Sequence, residues 1–345
     1  MTMRLDRVAV VIPTRNPGHG LRAIIDVVLG QQLVGATTQG PLEIGALEVL
    51  VIDTASSDGT QAWLGAHPDP RLRLHTITVS EFGHGRTRNL AMTLTTAPFV
   101  AFLTHDARPA NQDWLRQLLA PALADTGVAG VFGRHCAHPG ANPFTALALE
   151  RHFQGFADQA VVALDDRERY ARDQGYRRQL HFFSNNNSLL RRQAWEQIPF
   201  PDVDFAEDQA WAQAIIEAGH RKAYAEQALV YHSHELSLTE TLQRSFDEAD
   251  AFRRHFGYAD GQSIVGLLRQ WLRETRFEVG TARAGGLWRS HPRAVVRRPA
   301  ENLLRLAGQA LGARGDRISP RLRAWLSWDA RLRSAKRVGQ RHNTA

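Results

Sequence analysis

Apolar and polar positions along this chain fall into blocks. Val8-Ala9-Val10-Val11-Ile12 is a continuous, mostly β-branched run, the pattern of a strand buried on both faces of a parallel sheet. It breaks into Pro13-Thr14-Arg15-Asn16-Pro17-Gly18. Leu21, Ile24, Ile25, Val28, Leu29 and Leu33 then recur at helical spacing and predict a helix with one apolar face. The unit repeats. Leu47 to Ile52 predicts a second strand ended by Asp53, with Ser57 or Asp58 available to cap the next helix. Leu72 to Val79 predicts a third strand, and Phe99 to Leu103 a fourth that ends in Thr104-His105-Asp106-Ala107. A helix from about Asn111, carrying Trp114, Leu115, Leu118 and Leu119, leads to a strand at Val128 to Phe132. Alternating units of this kind predict an α/β fold, a mostly parallel central sheet with helices on both faces.

The second half is less regular. Residues 134–180 hold polar, partly helical segments such as Asp158 to Gly175 and read as a lid or an insertion. The apolar run His181-Phe182-Phe183 ends in Asn185-Asn186-Asn187, which suits either a turn or hydrogen bonds to a ligand. Ala206-Glu207-Asp208 opens a helix with Trp211, Ala214, Ile215 and Ala218 on one face, and Ala228 to Tyr231 predicts a strand ended by His232-Ser233-His234. An amphipathic helix from Leu238 to His255 closes the regular part.

Composition narrows the class. With 345 residues, 43% of them hydrophobic, the chain has the apolar content of a globular protein. The single cysteine, Cys136, excludes an internal disulfide or a cysteine zinc cluster and fits a reducing compartment. The start turns quickly into a strand and no run reaches about 18 apolar residues, so a cytoplasmic location is expected. The net charge of +7 is concentrated late, because from Tyr258 onward there are 18 Lys and Arg against 6 Asp and Glu. Arg there alternates with Leu and Trp at helical intervals, the pattern of a membrane-surface or partner-binding helix, or of an ordinary solvated one. Two domains are expected, 1–257 and 258–345.

The candidate chemistry lies at strand ends, the edge where open α/β sheets bind ligands. Thr14 and Arg15 follow the first strand, Asp53 the second and Asp106 the fourth, while Glu207, Asp208 and His232 arrive from later elements. Carboxylates and imidazole are metal ligands and Arg pairs with phosphate, so the set suits a substrate with a base and a metal-bound diphosphate. Blander readings stand beside each piece. Asp106 serves equally as a turn former, and Glu207 and Asp208 suit a helix dipole. Gly83-His84-Gly85 is either a tight turn or an anion cradle. The first loop lacks Gly-x-Gly-x-x-Gly, which argues against a dinucleotide oxidoreductase.

In order along the chain, Val10 to Asn16, Val51-Ile52-Asp53 with Ser56 to Thr60, Glu81 to Asn89, Phe102 to Ala107, Glu207-Asp208 and Val230 to His234 resemble family 2 glycosyltransferases of the GT-A fold. Phe82-Gly83-His84-Gly85-Arg86-Thr87-Arg88-Asn89 resembles their bacterial rhamnosyltransferase-like branch. The similarity spans about residues 8–256 and continues loosely through Ser319 to Ser327. It implies a nucleotide-binding half over about 1–133, an acceptor-side half over about 134–257, and a basic amphipathic helical extension over 258–345. Pro13, Thr14, Arg15 and Asp53 would line the base and ribose pocket, with Arg88, Asn89 and His105 near the nucleotide. Asp106 matches the last acid of the family's Asp-x-Asp metal motif, whose first acid is Thr104 here. His232 matches the histidine that completes the metal site for Mg²⁺ or Mn²⁺. Asp208, beside Glu207, matches the general base. The implied activity is inverting transfer of a sugar, L-rhamnose from dTDP-rhamnose by best resemblance, from a dTDP- or UDP-sugar to a hydroxyl of a glycan or lipid-linked glycan in cell-surface polysaccharide synthesis. The basic extension implies contact with an anionic membrane surface, placing the protein peripherally on the inner face of the cell membrane. The aromatics sit at helical core spacing, so no nucleic acid is expected. The competing expectation is a catalytically silent scaffold of the same fold that binds a membrane or nucleic acid through its basic tail.

Overall fold

The apolar run at Val8–Ile12 lies inside a longer strand, β1 (Met3–Thr14), whose five central residues are fully buried. Val8, Val10 and Ile12 join one apolar cluster and Ala9 and Val11 another, so side chains alternate between two cores on opposite faces of the sheet. In the computed structural model, which describes residues 2–258 and 263–328, the chain divides into two compact units. One is Met1–Pro139 with Ala148–Ser233, and the other is Gly140–Leu147 with His234–Ala345.

In the first unit the chain runs β1, α1 (Gly20–Leu29), β2 (Val34–Thr37), β3 (Gly40–Thr54), α2 (Thr60–Gly65), β4 (Leu72–Ile77), α3 (His84–Leu94), β5 (Phe99–Leu103) and β6 (Arg108–Pro109). It continues through α4 (Trp114–Ala124), β7 (Val128–Cys136), α5 (Pro143–Gln154, shared by both units), β8 (Val161–Val162), α6 (Arg167–Arg172), α7 (Gln174–His181), β9 (Asn187–Arg191), α8 (Arg192–Gln197), α9 (Glu207–Glu217) and β10 (Arg221–Tyr231). The sheet order is β2-β3-β1-β5-β9-β7-β10-β6, with β4 on β3 and β8 on β10. Strands β4, β3, β1 and β5 are parallel, as expected, and β7 and β10 are parallel to each other. Between these two sets lies β9, antiparallel to both neighbours, so the sheet is mixed. The helices α1 and α4 pack Leu21, Ile24, Ile25, Leu115 and Leu118 on one face; α3 and α9 pack Met92, Trp211 and Ile215 on the other.

Two stretches that the sequence left open take definite form. The apolar run His181-Phe182-Phe183 is the end of α7 and its exit, and the amides after it lead into a strand that begins at Asn187. The segment 134–180 supplies α5, α6 and α7, with Phe153, Tyr176 and Leu180 buried in the second core, so much of it is packed structure. Gly85 owes its place to close approach: a Cβ there would strike the carbonyl oxygen of Pro201.

The second unit contains α10 (Leu238–Phe256), α11 (Ile264–Ala284), α12 (Leu287–Ser290), α13 (Pro292–Gly312) and α14 (Pro320–Leu326). The sequence put the domain boundary at 257; the division falls after Ser233, because α10 packs along α13. Gly308 and Gly312 bring the backbones together, since a Cβ at either would meet the carbonyl oxygens of Leu242 or Phe246. Ser237 and Glu240 form a capping box at the start of α10, and Gly257 ends it in a left-handed conformation (φ 66°). Trp271 faces inward, its Nε1 donating to the Pro299 carbonyl at 2.8 Å. Among the described residues no helix is long and apolar enough to cross a membrane.

Candidate active site

The reversed strand decides which groups meet. Since β9 runs against β5, its first residue lies where β5 ends, and Leu103 pairs with Asn187. The loop before β9 and the loop after β5 therefore share one sheet edge with the ends of β1, β3, β7 and β10. That edge collects Thr14, Asp53, Asp106, Asn185 and His232, as the sequence pattern anticipated for all but Asn185.

On the β1–β3 side the two exit loops are laced together. Thr14 and Asp53 are register partners. Asp53 is fully buried and accepts the Ser56 N–H at 2.9 Å, the Ser56 hydroxyl, and the Gln61 amide at 2.6 Å. Asn16, in a left-handed conformation (φ 45°), accepts the Ser57 N–H at 2.8 Å, and the Gly18 N–H donates to Asp58 at 2.9 Å. The oxygens of Asp53 thus serve its own loop and the start of α2. The hydroxyls of Thr14 and Thr54 are buried and have no hydrogen-bond partner among the described residues. Pro13 and Arg15 are half-buried, and Arg15 has no ion-pair partner among the described residues.

Two residues expected near the nucleotide are occupied elsewhere. Asn89 accepts from the Trp195 indole at 2.8 Å and the Phe200 N–H at 3.0 Å, and donates to the Phe200 carbonyl at 2.9 Å. Its amide brackets α3 to the segment before α9. Arg88 is buried and donates to Glu207 at 3.0 Å and to the His84 carbonyl at 3.1 Å, with its guanidinium over the Phe102 ring. The reason is common to both: α3 turns them toward the segment that carries Phe200 and Glu207.

Glu207 and Asp208 open α9 from Ala206, which sits in the left-handed region (φ 57°), an unfavourable place for a residue with a Cβ. Asn185 joins the pair. Its side-chain amide donates to Glu207 at 3.2 Å, its backbone N–H donates to Asp208 at 3.1 Å, and its own carbonyl accepts the Ser188 hydroxyl at 2.9 Å. The Gln209 N–H donates to the other Asp208 oxygen at 2.8 Å. Burial opposes ionisation of Glu207, but Arg88, His84 and Asn185 outweigh it and keep the carboxyl below its usual range. Asp208 goes the other way. Burial and the Glu207 charge push it up to about 7 against the backbone donors, and the residue keeps some solvent access. Such a carboxyl is poised to take a proton near neutral pH.

At the ends of β5 and β10 the environment is opposite. Asp106 is partly exposed, with His232 Nε2 3.6 Å from its Oδ1. Burial would raise its pKa, but His232, Thr104 and His105 together hold it well below the usual carboxylate range. An ionised oxygen donor beside an imidazole nitrogen fits a divalent cation that takes its remaining ligands from water and phosphate oxygens. His105 is half-buried next to that carboxylate. Sequence reading missed His135. It lies on β7 with its ring 5.2 Å from that of His232, and its Nε2 is buried with no hydrogen-bond partner among the described residues. Burial and the neighbouring histidines push it well below the usual imidazole range, so it packs neutral behind His232. The signal available was its place three residues beyond Phe132, the last residue of the apolar run of β7, at the same edge.

The profile of the family described as glycosyl transferase family 2 matches residues 9–198. Among curated proteins, the chain is 30% identical over 267 residues to the O-antigen chain rhamnosyltransferase RfbN of Salmonella typhimurium, covering 75% of this chain and 78% of that one. It is 32% identical over 226 residues to the O-antigen chain rhamnosyltransferase WbaN of Salmonella anatum, covering 63% and 68%. Among solved structures, the mannosyltransferase PcManGT from Pyrobaculum calidifontis, in complex with GDP-Man and Mn²⁺, superimposes with a TM-score of 0.55 at 17% identity over 90% of this chain and 88% of that one. That last likeness is one of fold.

Proposed function

The chain belongs to glycosyl transferase family 2 and is a glycosyltransferase, and from that premise we propose that it moves L-rhamnose from dTDP-rhamnose, with inversion, to a hydroxyl of a glycan or lipid-linked glycan. The observation that carries the reading is the opposed pair on one sheet edge, Asp208 raised to about 7 and Asp106 held ionised beside His232. The rhamnosyl donor is supported by the two relatives named as O-antigen chain rhamnosyltransferases.

In this reading Asp208 accepts the proton of the acceptor hydroxyl as that oxygen attacks the anomeric carbon. The bond to the nucleoside diphosphate breaks on the opposite side, and its electrons leave with the β-phosphate oxygen. A positioned base of this kind contributes about 10²–10⁴ in rate. Glu207 does not take the proton; Arg88 keeps it charged, and it sustains the proton affinity of Asp208. Asp106 and His232 would hold Mg²⁺ or Mn²⁺, which offsets charge on the departing diphosphate. Arg15 supplies a cation at the β1 loop for the nucleotide. The buried hydroxyls of Thr14 and Thr54 line the base and ribose side.

The test is a panel of nucleotide sugars with Mn²⁺, Mg²⁺ or chelator, read by thermal shift and by release of nucleoside diphosphate. A bound donor raises the melting temperature by mass action. The expected result is stabilisation and metal-dependent turnover with dTDP-rhamnose above UDP- and GDP-sugars. Full turnover in excess chelator overturns the metal assignment, and preference for another sugar nucleotide overturns the donor.

A further inference from the structure

The helix α11 has an inner and an outer face of contrasting chemistry. Inward, Trp271, Glu274, Glu278 and Ala282 pack within the second unit, where Glu278 pairs with Arg298 at 2.8 Å and Glu274 with Arg305. Both acids of the helix are thereby spent on neighbours. Outward, Ile264 (77% exposed), Val265 (56%), Leu268 (47%) and Leu272 (42%) stand in solvent. At 3.6 residues per turn, Val265, Leu268 and Leu272 share a sector of about 60°, and Arg269, Arg273 and Arg276 fill an adjoining sector of about 60°. Those three arginines are exposed, and none has an ion-pair partner among the described residues. The outer face therefore carries bare positive charge beside bare aliphatic surface, with no acid between them.

We propose that this outer face of α11 docks the protein on an anionic lipid surface. A helix lying in a bilayer interface needs these two sectors side by side: aliphatic groups that enter the acyl boundary, and arginines whose stems lie along it while their guanidinium groups reach lipid phosphates. Charge complementarity selects the occupant. A second copy would bring two rows of unpaired arginines together, which like-charge repulsion opposes. Nucleic acid would use several planar rings among the basic groups for stacking, whereas the sector beside the arginines is Val and Leu and Phe277 is the one exposed ring of α11. The last 17 residues, 329–345, contain five Lys and Arg and one Asp, so their charge does not complement this face. The sequence expected the basic region as a whole to meet the membrane; with Trp271 turned inward onto the Pro299 carbonyl, the proposal places that contact on the aliphatic and arginine sectors of α11. The inference extends the proposed transfer to an acceptor carried at a membrane, and it is tested without donor or acceptor, so its failure and that of the transfer reading are distinguishable.

The experiment is co-sedimentation of the full chain with vesicles of phosphatidylcholine, alone or mixed with phosphatidylglycerol, at low and high salt. The expected result is pelleting only with the anionic vesicles and release by salt. Combined R269Q, R273Q and R276Q weakens partitioning by on the order of a hundred-fold, and combined L268S and L272S weakens it by about ten-fold or more. All five side chains are exposed, so both variants keep the parent melting temperature. Three results overturn the proposal. One is full-length protein that stays in the supernatant at low salt. Another is loss of binding in the arginine variant with full binding in the leucine variant, which marks a general polyanion site. The third is a dimer that the leucine variant converts to monomer, which assigns the face to a second copy.

Discussion

Asp106 and Asp208 are acids of the same type at one edge of one sheet, and their surroundings drive them apart. Asp106 follows a short strand into partial solvent, with His232 and His105 as neighbours, and stays ionised. Asp208 sits in the first turn of α9 beside a buried carboxylate, and burial together with that neighbour raises it to about 7. A permanently charged carboxylate suits a cation, and one near neutrality suits a proton, so the roles proposed for them follow from environment rather than residue type. The signs for stability are opposite too. Asp106 binds protons more weakly folded than unfolded, so its contribution is present above about pH 4 and is lost as pH falls. Asp208 binds its proton more tightly folded, so its ionisation costs stability as pH rises from about 4 to about 7.

The largest way to break this contrast is Asp208→Asn. Turnover should fall by about 10²–10⁴ while donor affinity, measured by calorimetry, stays within a few-fold. Equal losses in both would put Asp208 in the donor pocket and dissolve the distinction. Next comes the other acid. Asp106→Asn and His232→Ala should each raise the Mn²⁺ concentration for half-maximal activity at least ten- to a hundred-fold, the scale on which even outer-shell partners matter. An unchanged metal titration would remove the pair from the cation site. Sharper and smaller is Glu207→Gln. Removing the neighbouring negative charge lowers the proton affinity of Asp208, so the acidic limb of kcat/KM should move down by on the order of one pH unit. A limb that stays near 7 would mean that burial alone sets the value. The smallest effect is on melting. Asp208→Asn should melt above the parent at pH 8 and level with it at pH 4, because only the ionised parent bears the cost. An equal shift at both pH values would trace to packing.

How much of this could be read in advance differs between the two acids. Asp106 was visible because it ends a continuous apolar strand, and a strand end fixes a residue at the sheet edge whatever the rest of the fold does. His232 was visible for the same reason. Asp208 had only its helix position and its resemblance to speak for it, since its raised proton affinity comes first from burial, which the tertiary packing sets, and then from the Glu207 charge, against Arg88 and the Asn185 and Gln209 N–H groups. Arg88 and Asn89 were read as nucleotide contacts because basic and amide groups follow glycines there. Which way α3 turns depends on Phe200 and Pro201, more than a hundred residues away, and no local pattern reports that. The reversed β9 was hidden likewise: its apolar run is short, and the amides before it drew the reading toward a turn.

Strand β9 also bears on how the protein is made. It completes the sheet between β5 and β7, yet it is synthesised after both. From the time Leu103 leaves the ribosome until Arg191 does, β5 lacks its second neighbour, and β7 lacks the same one from its own emergence. At about 5–20 residues per second that interval is about 5 to 20 seconds, long compared with the microseconds in which chains collapse. Throughout it, Phe99 to Leu103 offers a bare apolar edge to any other nascent chain. Yield during expression should therefore depend on translation speed across 104–191 and on chaperone supply, quite apart from how stable the finished molecule is.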